Sequence, residues 1–228
     1  MKIAVNNEQL DVDVVGDGST TIGSVLFLHG AGTSNKNRAR YVADELARYG
    51  FCAILFDFSG QGASSGEMKN SSLEKRYLEA QGVIANARPS SLSCIIGSSM
   101  GAQTAIELAA AYQPKALVLF CPAVYDRNVY KVPFDSRFSE GIRQFESWRA
   151  SDAFNLLAQF RGKLLIVIGS NDTVIPAELP TLLVNSAKNS DKKDLCIVEG
   201  ADHQIHKWLT AHSDDRKAVM HRIISFCE

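Results

Sequence analysis

The chain has 228 residues, 46% of them hydrophobic and 21% charged, with a formal net charge of −1. That length holds one sizeable core and the composition is ordinary for a globular protein. The near-neutral balance, without a basic block, excludes the electrostatic footprint of a nucleic-acid or anionic-membrane binder, and no apolar run reaches the ~18–20 residues that span a bilayer.

Residues 2–15 alternate weakly, in Lys2-Ile3-Ala4-Val5 and again from Leu10 to Val14. They predict two antiparallel strands at a sheet edge. A turn is expected over Val15-Gly16-Asp17-Gly18-Ser19. Ser24 to His29 is a continuous apolar run, the mark of a strand buried on both faces, and it ends in Gly30-Ala31-Gly32-Thr33-Ser34. A helix is expected from Lys36 to Tyr49, with Gly50 as its stop. Cys52 to Phe56 is the next buried strand, followed by the glycine-rich loop Asp57-Phe58-Ser59-Gly60-Gln61-Gly62-Ala63-Ser64. A helix from Leu73 to Ala87 precedes the strand that begins at Ser93.

That strand ends in Gly97-Ser98-Ser99-Met100-Gly101, and a helical run continues to Tyr112. Gly97-x-Ser99-x-Gly101 in a strand–turn–helix context is the pattern of a nucleophile elbow. Such a turn needs glycines on either side of the nucleophile, and the following helix points its first amides at the place where an oxyanion forms.

Ala116 to Phe120 is another buried strand. Residues 122–160 then break the alternation and are rich in aromatic residues. They predict a small helical insertion over the sheet within a single 1–228 domain, being too short for a large core of their own. Lys163 to Gly169 and Asp194 to Glu199 are the last two strands, a helix is expected between them from Ala177 to Ala187, and another from Ala211 to Cys227 closes the chain. Strands alternating with helices in this way predict a mostly parallel α/β sheet with helices on both faces. Active-site groups in such folds gather at the C-terminal ends of the strands.

Each strand-end loop carries a reactive residue: Ser99 at the elbow, Asp172 three residues past Gly169, and His203 after the last strand. Their chain order, Ser, Asp, His, is the order of this triad on this kind of sheet. Ser98 is the rival nucleophile, without symmetric glycines. His206, His212 and His221 are rivals to His203, and Asp152 and Asp202 to Asp172. His29 and Asp57 read as loop-fixing groups rather than catalysts. Gly30-Ala31-Gly32 lacks the third glycine of a dinucleotide fingerprint, because Asn35 stands there. No clustered histidine motif for a metal is present. The five cysteines are scattered without a C-x-x-C pair and read as buried reduced thiols. With no long apolar stretch in the first residues to act as a secretory signal, a cytoplasmic location is expected.

Taken together, His29-Gly30-Ala31-Gly32, Asp57-x-x-Gly60-x-Gly62-x-Ser64, the elbow, Gly169-x-x-Asp172-x-x-Ile175-Pro176 and Gly200-Ala201-Asp202-His203 resemble the α/β-hydrolase superfamily over essentially the whole chain. Within it the sequence is similar to compact bacterial serine aminopeptidase-like and carboxylesterase- or lysophospholipase-like hydrolases. The resemblance implies Ser99 as acyl nucleophile, His203 as base, and Asp172 as the acid that orients it. It implies an oxyanion hole from the backbone amides of Met100 and Ala31. It also implies that 122–160 is a cap, with Phe138, Phe145 and Trp148 lining the substrate pocket. The reaction so implied is hydrolysis of a small-molecule ester or thioester without cofactor or metal. An aminopeptidase or amidase, drawing on Glu140, Glu146 and Asp152 to hold an amine, is the alternative enzyme of this fold, and a catalytically inactive binding module of the same fold is the alternative outside enzymes.

Overall fold

A computed structural model describes residues 1–16, 22–89 and 91–228. Of the expected turn over 15–19, Asp17, Gly18 and Ser19 lie outside the described residues. Strands β1 (Lys2–Val5) and β2 (Glu8–Val15) form the antiparallel edge, and β3 (Gly23–Leu28), α1 (Arg40–Arg48), β4 (Phe51–Phe56), α2 (Leu73–Ala87) and β5 (Leu92–Ser98) follow. Next come α3 (Gly101–Tyr112), β6 (Ala116–Phe120), α4 (Ser136–Ile142), α5 (Ala153–Gln159), β7 (Lys163–Gly169), α6 (Leu179–Ser186), β8 (Lys193–Val198), α7 (Ile205–Ala211) and α8 (Ser213–Cys227).

The eight strands make one sheet in the order β1-β2-β4-β3-β5-β6-β7-β8, parallel from β4 to β8. This is the α/β-hydrolase architecture that the motifs implied. Its cause is visible in the side chains. Strands β3, β4 and β6 are buried at every position, as their unbroken apolar runs require when helices cover both faces. Helices α1 and α8 touch on one side, while α2, α3, α5 and α6 form a contiguous row. Strand order reverses at β3, which lies between β4 and β5, so the loops after β3 and β5 open side by side.

Three helix boundaries differ from the sequence pattern. The helix expected from Lys36 begins as a 3-10 turn, Lys36–Ala39, because Asn35 caps it and the Asp57 carboxylate takes the Lys36 N–H at 2.7 Å. The helix expected from Ala177 starts at Leu179, with Pro180 in its first turn, where its missing N–H is harmless. The helix expected from Ala211 starts at Ser213, and α7 precedes it where the sequence pattern predicts no helix. His212, with φ −116° and ψ 95°, separates the two, and Trp208 Nε1 donates to Asp215 Oδ2 at 2.7 Å across the corner.

The aromatic insertion contains elements of two kinds. Ala153, Leu157 and Phe160, on α5 and just after it, belong to the main core beside α3 and α6, whereas α4 places Phe138 in a smaller cluster with Leu73, Met100 and Val129. Beneath the insertion, Glu107 on α3 accepts from Gln103 Nε2 at 2.7 Å and from Tyr130 Oη at 3.2 Å. Burial outweighs these bonds and raises its pKa from 4.5 to about 7. The unfolded chain therefore ionises this group at lower pH than the folded protein does. Its contribution is full below about pH 4.5 and is lost as pH rises to 7. Glu107→Gln abolishes that loss. Its urea midpoint should gain on the wild type between pH 4.5 and 7.5, by the equivalent of about 2–3 kcal/mol. Equal pH slopes for the two proteins would contradict this.

Candidate active site

The elbow is built by close approach. Ser99 holds φ at 50°, a left-handed conformation for a residue with a Cβ. The turn is secured by Ser99 N–H donating to Phe120 O at 2.9 Å, and by Ala102 and Ala123 N–H donating to Ser99 O at 2.9 and 3.2 Å. A Cβ at Gly101 would stand 2.3 Å from Leu28 O, and one at Gly97 2.6 Å from Ala105 Cβ. Both glycines are therefore demanded by contact: α3 starts against the end of β3, and β5 runs against α3.

Ser99, Asp172 and His203 come together at the strand ends. His203 Nε2 lies 3.1 Å from Ser99 Oγ, and His203 Nδ1 lies 2.9 Å from Asp172 Oδ2. The other Asp172 oxygen accepts Val174 and Ile175 N–H at 2.9 and 3.0 Å. Burial opposes ionisation of Asp172, but the bonds from His203, Ile175 and Val174 outweigh it and hold the carboxyl below its usual range. An ionised carboxylate only accepts, so Nδ1 carries the hydrogen and Nε2 faces Ser99 with its lone pair.

The rivals are engaged elsewhere. His212 stacks on Trp208 with ring centroids 3.9 Å apart, and His221 is exposed. Asp202 Oδ1 takes Gln204 N–H at 2.8 Å, and Asp152 pairs with Arg127 at 3.6 Å. Ser98 and His206 bond each other, Oγ to Nε2, at 2.8 Å.

The loop after β3 brings Ala31 to the same cavity wall as Ser99, while Met100 opens α3 directly behind it. Among the described residues, neither the Ala31 nor the Met100 N–H donates to a protein acceptor. The Ala31 loop is held from beneath. His29 Nε2 accepts Phe58 N–H at 3.1 Å, so its Nδ1–H donates to Gly30 O at 2.8 Å, and burial lowers its pKa to about 3, keeping it neutral. Gln61 Nε2 reaches Gly30 O, Gly32 O and Ser34 O at 2.9–3.2 Å. Fully buried Arg76 donates to His29 O and Gly30 O, both at 3.2 Å, and to Gln61 Oε1, with its guanidinium 4.2 Å from the Phe58 ring centre. Asp57 fixes the neighbouring loop through Lys36 and Ala63 N–H.

Sequence reasoning misses both Gln61 and Arg76. Gln61 occupies a variable position inside the Asp57–Ser64 motif, and Arg76 lies on a helix where arginine reads as solvated. Arg76→Met leaves these acceptors short of donors in a dry site. It should lower stability by about 2–4 kcal/mol and kcat by about 10–100-fold with a smaller change in KM, because the Ala31 amide loses its support. Urea unfolding and steady-state kinetics read both, and unchanged kcat in a destabilised protein would limit Arg76 to structure.

A cavity of about 250 Å³ opens beside Ser99, lined by the 30–34 loop, Arg38, Ser98, Phe120, Cys121 and residues 203–206. A larger hollow of about 800 Å³ lies near Lys115 and Lys163, at the opposite strand ends and away from Ser99 and His203. The expected lining aromatics are not brought to the Ser99 cavity. Phe138 is buried against Tyr125 and Phe134, Phe145 is 92% exposed, and Trp148 packs on Phe154. Phe138 and Trp148 pack against neighbouring aromatics of the insertion and Phe145 faces solvent, whereas strand-end loops supply the wall next to Ser99.

Cys121, Asp172 and His203 offer ligand-type atoms within 4.8 Å of one another. Burial and the Asp172 charge raise the Cys121 pKa and keep it a thiol, and the His203–Asp172 bond already uses the other two groups. A metal would need the thiolate and would break the orienting bond, so this donor set fits a hydrogen-bonded acid and base better. All five cysteines are buried and unpaired, and among the described residues no helix is long and apolar enough to cross a membrane.

Comparison with known proteins bears on this geometry. The family described as "Serine aminopeptidase, S33" matches residues 19–151. Uncharacterized proteins from two strains of Mycobacterium tuberculosis are 26% identical over 194 residues, and this match spans 79% of the chain but only 62% of theirs. Among solved structures, Est1E from Butyrivibrio proteoclasticus, with ferulic acid bound, aligns with a TM-score of 0.76 at 18% identity, over 99% of this chain and 98% of that one. An esterase from Exiguobacterium antarcticum aligns with a TM-score of 0.73 at 18% identity, over 100% of this chain and 98% of that one. At such identities the likeness is one of fold.

Proposed function

The chain belongs to the serine aminopeptidase S33 family of α/β-hydrolases, and we propose that it hydrolyses a carboxylic ester or thioester through an acyl-enzyme on Ser99. The observation that carries this reading is the continuous bond path from Ser99 Oγ through His203 to Asp172, at 3.1 and 2.9 Å. In the proposed reaction Ser99 Oγ attacks the carbonyl carbon as His203 Nε2 takes its proton. The Met100 and Ala31 amides stabilise the oxyanion. His203 then returns the proton to the departing alcohol or thiol. Water, activated by the same nitrogen, releases the acid and restores Ser99. Asp172 stays ionised throughout and stabilises the imidazolium. In this reading residues 1–228 act as one domain, and the 122–160 insertion caps Met100 and limits how far a substrate extends.

Ester chemistry is favoured over aminopeptidase chemistry by the charge near the nucleophile. Glu146 pairs with Arg149 at 2.6 Å and Asp152 with Arg127, and neither they nor Glu140 line the Ser99 cavity. Arg38 does line it and would repel a substrate amine. The test is fluorophosphonate labelling mapped by mass spectrometry, with turnover of nitrophenyl esters and acyl thioesters of increasing length against amino-acyl anilides. Labelling at Ser99 and turnover of esters or thioesters are expected. Label on another residue, or faster anilide cleavage, would overturn the reading.

A further inference from the structure

Ser98 and His206 remain unused by the reaction, yet they line the same cavity as Ser99. His206 is buried, its Nε2 lies 2.8 Å from Ser98 Oγ, and its Nδ1 lies 3.2 Å from Tyr41 Oη. Its ring also packs on Phe120, with centroids 4.6 Å apart. Burial and the nearby Arg38 charge lower the His206 pKa to about 3, and burial keeps Tyr41 a phenol. A neutral imidazole has one N–H and one lone pair, so the relay runs in one of two directions. If Nδ1–H donated to Tyr41, the phenol hydrogen, on a partly buried side chain, would have no protein acceptor among the described residues. With Tyr41 O–H as the donor, the phenol and imidazole hydrogens are both used within the protein. The favoured direction is therefore Tyr41 O–H to Nδ1 and Nε2–H to Ser98. The Ser98 hydroxyl is then free to donate into the cavity.

Arg38 stands on the same wall. Its side chain donates to the neutral amide of Gln204 at 3.0 Å, and among the described residues it forms no ion pair. A guanidinium has five donors, so most of this one remains unengaged. No aspartate or glutamate is among the lining residues. Asp172, behind His203, is committed to His203, Val174 and Ile175. The cavity thus presents a cation and an oriented hydroxyl next to the nucleophile. Its volume of about 250 Å³ is below that of ordinary drug-sized sites.

We propose that this wall is a carboxylate subsite, and that the enzyme's substrates are short esters or thioesters whose acyl group ends in a carboxylate held by Arg38 and Ser98. The inference rests on the Ser99 hydrolase reading for its chemistry. The recognition itself is charge-assisted hydrogen bonding: the planar fork of Arg38 matches a carboxylate, and Ser98 adds a neutral donor. Tyr41 and His206 are positioning residues that set the direction of the Ser98 hydrogen.

The test reads binding separately from turnover. Calorimetry on Ser99→Ala compares monomethyl glutarate with methyl 5-methylhexanoate, in which an isopropyl group replaces the carboxylate. The anion should bind about tenfold or more tighter. Adding Arg38→Gln should bring the two ligands to within about twofold, Arg38→Lys should keep part of the preference, and Ser98→Ala should reduce it by about three- to tenfold. In the wild type, kcat/KM for the two esters should follow the same order. Equal binding, a preference for the neutral ester, or a preference that survives Arg38→Gln overturns the subsite. Absence of fluorophosphonate label on Ser99 would instead overturn the hydrolase reading, while the calorimetric comparison would still decide the subsite.

Discussion

Ser99→Ala is expected to lower kcat on any ester substrate by about 10⁴–10⁶-fold and to abolish fluorophosphonate labelling while the protein remains folded. The substitution removes one oxygen, the atom 3.1 Å from His203 Nε2. It leaves the turn's backbone bonds to Phe120, Ala102 and Ala123 in place. Alanine tolerates the φ of 50° no better than serine, so the elbow strain persists in this variant. Ser99→Gly separates strain from chemistry. Glycine adopts that conformation freely, so this variant should be equally inactive yet more stable than Ser99→Ala by up to about 1 kcal/mol, less the chain entropy that glycine adds. Ester turnover and urea midpoints of the three proteins measure both effects. Residual turnover within tenfold of wild type in Ser99→Ala would place the nucleophile elsewhere.

Asp172→Asn is expected to lower kcat by about 10³–10⁴-fold with little change in KM. The argument comes from the partners of each oxygen. Oδ1 accepts two backbone N–H groups, from Val174 and Ile175, so in asparagine the amide oxygen must occupy that place. The amide nitrogen then sits where Oδ2 was, 2.9 Å from His203 Nδ1, and donates to it. That forces the histidine hydrogen onto Nε2, which now faces Ser99 as a donor and can no longer take its proton. Raising the pH does not restore the lone pair, because the wrong tautomer is imposed by hydrogen bonding rather than by titration. A kcat profile from pH 6 to 9 should therefore stay low throughout. Recovery at high pH, or a loss below tenfold, would show that Asp172 is not what orients His203.

The two variants test neighbouring links in one chain of bonds, so their effects should not add. Once Ser99 has lost its oxygen, turning the His203 tautomer has nothing further to remove, and the double variant should match Ser99→Ala.

Much of this protein is legible in one dimension because its sheet is buried on both faces. Unbroken apolar runs at 24–29, 52–56 and 116–120 can satisfy their backbone only as central parallel strands, and the chemistry of such a sheet collects in the loops that follow. That is why strand ends and their motifs single out Ser99, Asp172 and His203, which the fold brings within hydrogen-bond distance of one another. Helix α2 also lies where the pattern put it, and the structure adds that Ser72 caps its start by accepting Lys75 N–H at 3.0 Å. Tertiary contact decided the rest. The short helix α7 ahead of the last one goes unread in the sequence, and the Trp208–Asp215 bond that ties the two together is one that no periodicity reveals. Arg76 is buried under the 29–34 loop by contacts with residues over 40 positions away, which its place in the helix does not reveal. The cavity wall beside Ser99 follows the same logic. The sequence pointed to the aromatic insertion, but Phe138 and its neighbours fold onto one another. The cavity instead takes its character from Arg38, Ser98 and His206, polar residues whose meaning depends on partners across the fold. A reactive turn is specified by its own glycines and serine, whereas a recognition surface exists only once distant side chains share a boundary with the same empty volume.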